Sequence, residues 1–179
     1  MYPLLIGIIG GRNTGKSTLT VACGNALSLL GKNVAIIKFS HSQYSLEPNT
    51  KDSAIFHKTT AKEIIFTSPY ETVLYKKTTK RLSLKFLKKF ISNDIDIILC
   101  ESYPSNFPTI PVIFTIKNMN DYNETKTRYK SFRPFFLTGI YADTHTGVLD
   151  GVPLLKISNK TDEAKIVKLI LDQDGIDIL

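Results

Sequence analysis

The sequence predicts an α/β fold in three layers, with a mostly parallel central sheet between two sets of helices. Three observations predict it. Apolar runs of strand length alternate with helical patterns, the mark of successive βαβ units. The run from Ile95 to Cys100 is almost continuously apolar, as a strand covered on both faces must be. A glycine-rich turn follows the first apolar run directly and opens a helix.

Taken in order, Leu4 to Ile9 reads as the first strand, Ser17 to Leu30 as a helix stopped by Gly31, and Asn33 to Lys38 as the second strand. Phe39 to Thr50 is polar and carries Pro48 and Asn49, so it reads as a loop. Lys51 to Ala61 follows as a helix. Ile64 to Thr67 and Glu71 to Tyr75 are short strands, the latter at an edge, and Leu82 to Ile91 is an amphipathic helix. Its wet face takes up much of the basic excess, from Lys76, Lys77, Lys80 and Arg81 to Lys85, Lys88 and Lys89. Beyond the strand at Ile95, Pro104, Pro108 and Pro111 stiffen a loop, and Val112 to Ile116 returns as a strand. Lys117 to Arg133 follows neither period. Phe135 to Ile140 and Leu154 to Ile157 are read as strands and Asp162 to Leu171 as the closing helix.

A chain of 179 residues, 42% hydrophobic and 22% charged, is expected to form one domain over 1–179. The longest apolar stretch is too short to cross a bilayer and no leader pattern precedes it, so a cytoplasmic protein without membrane contact is expected. A net charge of +7 selects no partner by itself, and no RNA-binding or helix-turn-helix pattern accompanies it, so no nucleic-acid partner is expected. The two cysteines, Cys23 and Cys100, lie far apart in sequence and read as small buried residues.

The chemistry concentrates at the first turn. Gly10-Gly11-Arg12-Asn13-Thr14-Gly15-Lys16-Ser17 satisfies GxxxxGK[ST] between a strand and a helix, which predicts a P-loop NTPase fold. Glycines let main-chain N–H groups close on phosphate oxygens, and the helix start adds partial positive charge. Lys16 is expected on the β and γ phosphates, Ser17 on Mg²⁺ and Thr18 toward the α-phosphate. Such a site also needs an acidic residue at the tip of a nearby strand, which Glu101 supplies after Ile97-Ile98-Leu99-Cys100. Asp96 lies at the wrong end of that run.

Beyond the loop, Ile36-Ile37-Lys38-Phe39-Ser40-His41, Lys51-Asp52-Ser53 and Ile98-Leu99-Cys100-Glu101-Ser102-Tyr103 occur in that order. From Leu4 to about Thr115 the chain resembles the molybdopterin-guanine dinucleotide biosynthesis protein B (MobB) family. That family shows a strand ending like IKHxHH, a GKDS segment and a strand ending LVEGF. Here Phe39 and Ser42 replace two histidines, Thr50 stands for the glycine before KDS, and Ser102 stands for the glycine after the acid. The resemblance implies GTP binding with weak hydrolysis, Mg²⁺, a homodimer, molybdopterin as a ligand, and action with a MobA-like nucleotidyltransferase that joins GMP to molybdopterin.

For Asp52, a place beside Mg²⁺ or the attacking water stands next to a plainer role as helix N-cap. Lys38, at a strand tip, is read as a contact to phosphate or pterin, and His41 as an assistant to either. Asn159-Lys160-Thr161-Asp162 spells NKxD, whose carboxylate accepts the paired N1 and N2 protons of guanine, yet the same residues suit a helix start. A small-molecule kinase and a metal-insertion GTPase are the competing readings. A kinase lid has only Arg128 and Arg133 to draw on, and the metal carrier's Cys and His clusters do not occur.

Overall fold

The computed structural model describes residues 3–40, 59–78 and 83–173. They fall into two compact units, one built from the chain up to Phe39 and from Ile91 onward, the other from Ser40 to Phe90.

The larger unit holds a seven-stranded sheet in the order β2-β5-β1-β6-β7-β9-β8. Its strands are β1 (Leu4–Gly10), β2 (Val34–Lys38), β5 (Ile97–Glu101), β6 (Val112–Thr115), β7 (Pro134–Thr138), β8 (Gly147–Leu149) and β9 (Val152–Leu154). All neighbours run parallel except β8, which pairs antiparallel with β9. The period-two alternation of β1 sends Leu4, Ile6 and Ile8 to one face. There they join Leu99, Ile113 and Phe136 beneath α1 (Lys16–Leu29) and the closing helix Lys160–Leu171, packed on Leu19, Cys23, Leu27, Ile166 and Ile170. The opposite face carries an aromatic layer in which Tyr103 meets Phe39, Phe107 and Phe132 edge-on and Phe114 meets Tyr129. Helices on both faces make the α/β three-layer architecture that the alternation of patterns predicts.

The smaller unit contains the antiparallel pair β3 (Glu63–Thr67) and β4 (Thr72–Lys76), with Ile65 opposite Leu74 and a Glu63–Lys76 ion pair. It also contains a short helix, α2 (Leu84–Leu87), capped by Ser83 and continued as a single 3₁₀ turn over Lys88–Phe90. Lys76 thus ends a strand and is not on a helix face.

Three readings are corrected. Within 117–133, Met119–Arg128 is a helix, α3, whose N-cap Asn118 accepts from the amide of Asp121 at 2.9 Å. Tyr122 and Thr125, three apart on one face, are buried and hold it to the body. The strand expected over Phe135 to Ile140 ends at Thr138, where Gly139 (φ 101°) turns the chain into the short helix α4 (Ile140–Thr144). The strand expected over Leu154 to Ile157 ends at Leu154 and is the second arm of a hairpin turned at Asp150-Gly151, both with positive φ. The closing helix, α5, begins at Lys160. Most of the helix expected over Lys51 to Ala61 lies outside the described residues.

Candidate functional site

The glycine-rich turn over residues 10–17 sits where β1 leaves the carboxyl edge of the sheet. Asn13 (φ 57°) and Gly15 (φ 96°) adopt left-handed conformations that bend residues 10–15 into a closed loop, and Gly15 serves as the N-cap of α1. No side chain caps α1 and no acidic residue occupies its first turn, so its leading amides and its dipole are left for an external anion. The loop is braced from behind. Thr14, buried, shares a 2.7 Å hydroxyl contact with Thr115 at the end of β6 and donates to the Gly11 carbonyl. A Cβ on Gly10 would lie 2.3 Å from the Thr115 carbonyl oxygen, so only glycine allows the strands to approach this closely.

Lys16 folds inward, donating to the carbonyl of Gly10 at 3.1 Å and to that of Gly11. Burial depresses its ammonium below the ordinary lysine range. Glu101 and then Asp121 oppose that shift by their charge, and Lys38 adds to it. Ser17 donates its hydroxyl to Glu101 Oε1 at 3.0 Å, and the Lys38 ammonium lies 3.0 Å from the same oxygen. Sheet register explains the grouping: Lys38 pairs with Glu101, which pairs with Ile8 two residues before the loop. Glu101 is buried (5% exposed) as the last residue of β5, and Lys38 is half exposed on the edge strand.

Ser17 Oγ and Glu101 Oε1 are hard oxygen donors close enough to serve one Mg²⁺ ion, directly or through its water. Among the described residues no three His, Cys, Asp or Glu gather to hold a metal alone, so further coordination would fall to phosphate and water. Arg12 and Asn13 are exposed at the loop tip, and Thr18 is exposed in the first turn of α1. His41 and Asp52 lie outside the described residues.

Asn159 and Asp162 find their hydrogen-bond partners away from this cluster, and Lys160 is exposed. Asn159 caps α5 by accepting from the Thr161 amide at 3.0 Å, and Asp162 Oδ2 accepts from the Lys156 amide at 3.0 Å. A cavity of about 630 Å³ beside them is lined by Pro153, Leu154, Asn159, Asp162, Lys165 and Leu169 among others, and by no residue of the turn over 10–17.

Three contributors escaped the sequence reading. Thr115 anchors Thr14. Gly139 backs the loop, since a Cβ there would meet the Thr14 carbonyl oxygen at 2.4 Å. Asp121, buried, sets Oδ1 against Gly11 and accepts from the Lys117 amide at 3.2 Å. Only Asp121 had a signal, its place three residues after Asn118, where an N-cap side chain meets the backbone amide.

Among the described residues no helix is long and apolar enough to cross a membrane. No curated protein matches this chain in sequence. Solved structures do match in fold. The Bacillus subtilis MobB structure is 20% identical, with a TM-score of 0.68, covering 96% of this chain and 98% of that one. A molybdopterin-guanine biosynthesis protein B structure is 17% identical at TM-score 0.68, covering 94% and 99%. A MobB homologue from Bacillus stearothermophilus is 13% identical at 0.66, covering 94% and 96%. The family model described as "Molybdopterin guanine dinucleotide synthesis protein B" matches residues 5–128, more than half of the chain, and the chain therefore belongs to the MobB family.

Proposed function

We propose that this chain binds a nucleoside triphosphate with Mg²⁺ at residues 10–18, GTP being the one its family membership favours. In this reading it hydrolyses that nucleotide slowly, as an accessory factor in molybdopterin guanine dinucleotide synthesis. The observation that carries the reading is the convergence of an uncapped helix start, the Lys16 ammonium and the Ser17–Glu101 oxygen pair on one loop. Each group answers a different part of a magnesium-bound polyphosphate: amides take oxygens along its length, Lys16 neutralises the β and γ oxygens, and the oxygen pair takes the cation. Mg²⁺ held beside Ser17 and Glu101 would supply neutralisation of the phosphate charge. Water orientation is assigned to Asp52 by its place in the KDS segment, and His41 is assigned a supporting contact to phosphate or pterin. Family membership adds a homodimer, molybdopterin as ligand, a MobA-like nucleotidyltransferase as partner and a cytoplasmic setting.

Two experiments test this. Calorimetric titration with GTP and ATP plus Mg²⁺ is expected to give heat with the wild type and none with Lys16→Ala, and silence with both nucleotides sinks the nucleotide part. A cofactor-transfer assay with molybdopterin and the nucleotidyltransferase is expected to speed up when the protein is added. No acceleration, with binding intact, sinks the accessory role alone.

A further inference from the structure

Lys38 and Ser17 both address a single oxygen, Glu101 Oε1, each at 3.0 Å. In the described geometry the ammonium therefore neutralises the carboxylate that the previous reading gives to the cation. The two positive groups have no reason to share that oxygen once the site is loaded, because each would lose Coulomb energy to the other at close range. Lys38 has somewhere to go. It stands on the edge strand β2 with its side chain half exposed, so it can turn without disturbing the core.

The destination follows from the direction of the polyphosphate. Ser17, whose hydroxyl would hold the cation in the nucleotide reading, faces Glu101 on β5, which would set the terminal phosphate on the β5 side of the loop. Gly139, behind Gly15 on the β7 side, backs the opposite end. Lys38 is one strand beyond Glu101, about 5 Å across the sheet, within the span of a lysine side chain. A diphosphate ends before that position and gives the ammonium nothing to meet.

We propose that Lys38 is the γ-phosphate reader of this site: held on Glu101 in the free protein, it passes to the terminal phosphate when Glu101 turns to the bound cation. Lys38 is thereby the residue that separates triphosphate from diphosphate. This rests on the nucleotide reading above, and the test keeps the two apart.

Affinities for GDP and for a non-hydrolysable GTP analogue, each with Mg²⁺, are measured by calorimetry for wild type, Lys38→Met and Lys38→Arg. Lys38→Met is expected to weaken the triphosphate analogue at least about tenfold while GDP changes less than about twofold, and Lys38→Arg to keep most of the preference. Equal weakening of both ligands overturns the proposal, since it marks a diffuse charge effect. Tighter binding of both also overturns it, since Lys38 then only competes with the cation. A wild type that binds neither ligand overturns the nucleotide reading itself and this inference with it. Thermal melting of each variant, expected within a few degrees of wild type, shows that the fold is kept.

Discussion

The Ser17 hydroxyl donates to Glu101 Oε1 across 3.0 Å, tying the start of α1 to the end of β5. Residues 84 apart in the chain meet because β5 lies beside β1 in the sheet, in register Ile8 with Glu101. Glu101→Gln keeps an oxygen for Ser17 but removes the charge that a divalent cation needs. The increase in triphosphate affinity that Mg²⁺ produces over EDTA is expected to fall by about tenfold or more in this variant, with melting behaviour little changed. Titration with and without EDTA checks it, and an unaltered magnesium effect removes Glu101 from the cation's surroundings.

Gly10→Ala tests the brace behind the loop. The added Cβ would lie 2.3 Å from the Thr115 carbonyl and from its hydroxyl, both on a central, fully buried strand end. Because main chain must move, a loss of about 1–3 kcal/mol is expected, with triphosphate binding lost beside it. Denaturant midpoints and binding heats measure the two effects, and normal binding at normal stability contradicts the loop geometry.

How much of this was legible in the sequence depends on how local the cause is. Strand β1, the loop and α1 announce themselves because the motif and both periodicities lie in one continuous stretch. Glu101 is legible because four apolar residues before it fix its place at a strand end. Helix α3 is not, since its surface is polar and what holds it is remote: Tyr122 OH donates to Asp150, and Tyr129 at its end donates to the Tyr103 carbonyl. The β8–β9 strands are too short for alternation to show, although the Asp150-Gly151 turn was a usable sign. Lys38 could be placed at a strand tip, but its partner follows only from register.

Asp162 separates two meanings of one motif. Its Oδ2 accepts the Lys156 amide of the segment before α5, and Asn159 caps α5, so both side chains have a structural use that stands beside the base-reading one. Asp162→Ala is expected to cost about 1 kcal/mol of stability and to leave the ratio of GTP to ATP affinity unchanged. A ratio that moves toward ATP shows that this carboxylate reads the base.

Lys16 gives the site a pH signature. Its depressed pKa means that the ammonium in the free protein loses its proton below the ordinary value of 10.5. Phosphate binding favours the charged form, so triphosphate affinity is expected to be full near neutrality and to decline as pH rises, beginning before 10.5. Lys16→Arg, which stays charged, is expected to bind less well at neutral pH because its fork does not fit two inward carbonyls, yet to show no such decline. Affinity measured across the alkaline range in both proteins decides it, and parallel profiles rule out Lys16 as the source.

Cys23 offers a readout of the core that is independent of any ligand. It lies on α1 among Leu19, Leu27 and Ile166, 2% exposed, and burial pushes its thiol from 9.0 to about 12. A raised value means that the folded protein keeps a proton the unfolded chain gives up. The stabilisation is therefore whole below pH 9.0 and drains away as pH climbs toward about 12. Cys23→Ala removes that dependence while leaving a small void, so it is expected to be less stable than wild type by about 1 kcal/mol at neutral pH. The gap should narrow steadily above pH 9.0, because only the wild type has the Cys23 thiol to deprotonate on unfolding, Cys100 being common to both proteins. Melting temperatures of the two proteins through the alkaline range test this, the tyrosines titrating alike in both. A gap that stays constant means that the Cys23 thiol is not held protonated by the fold.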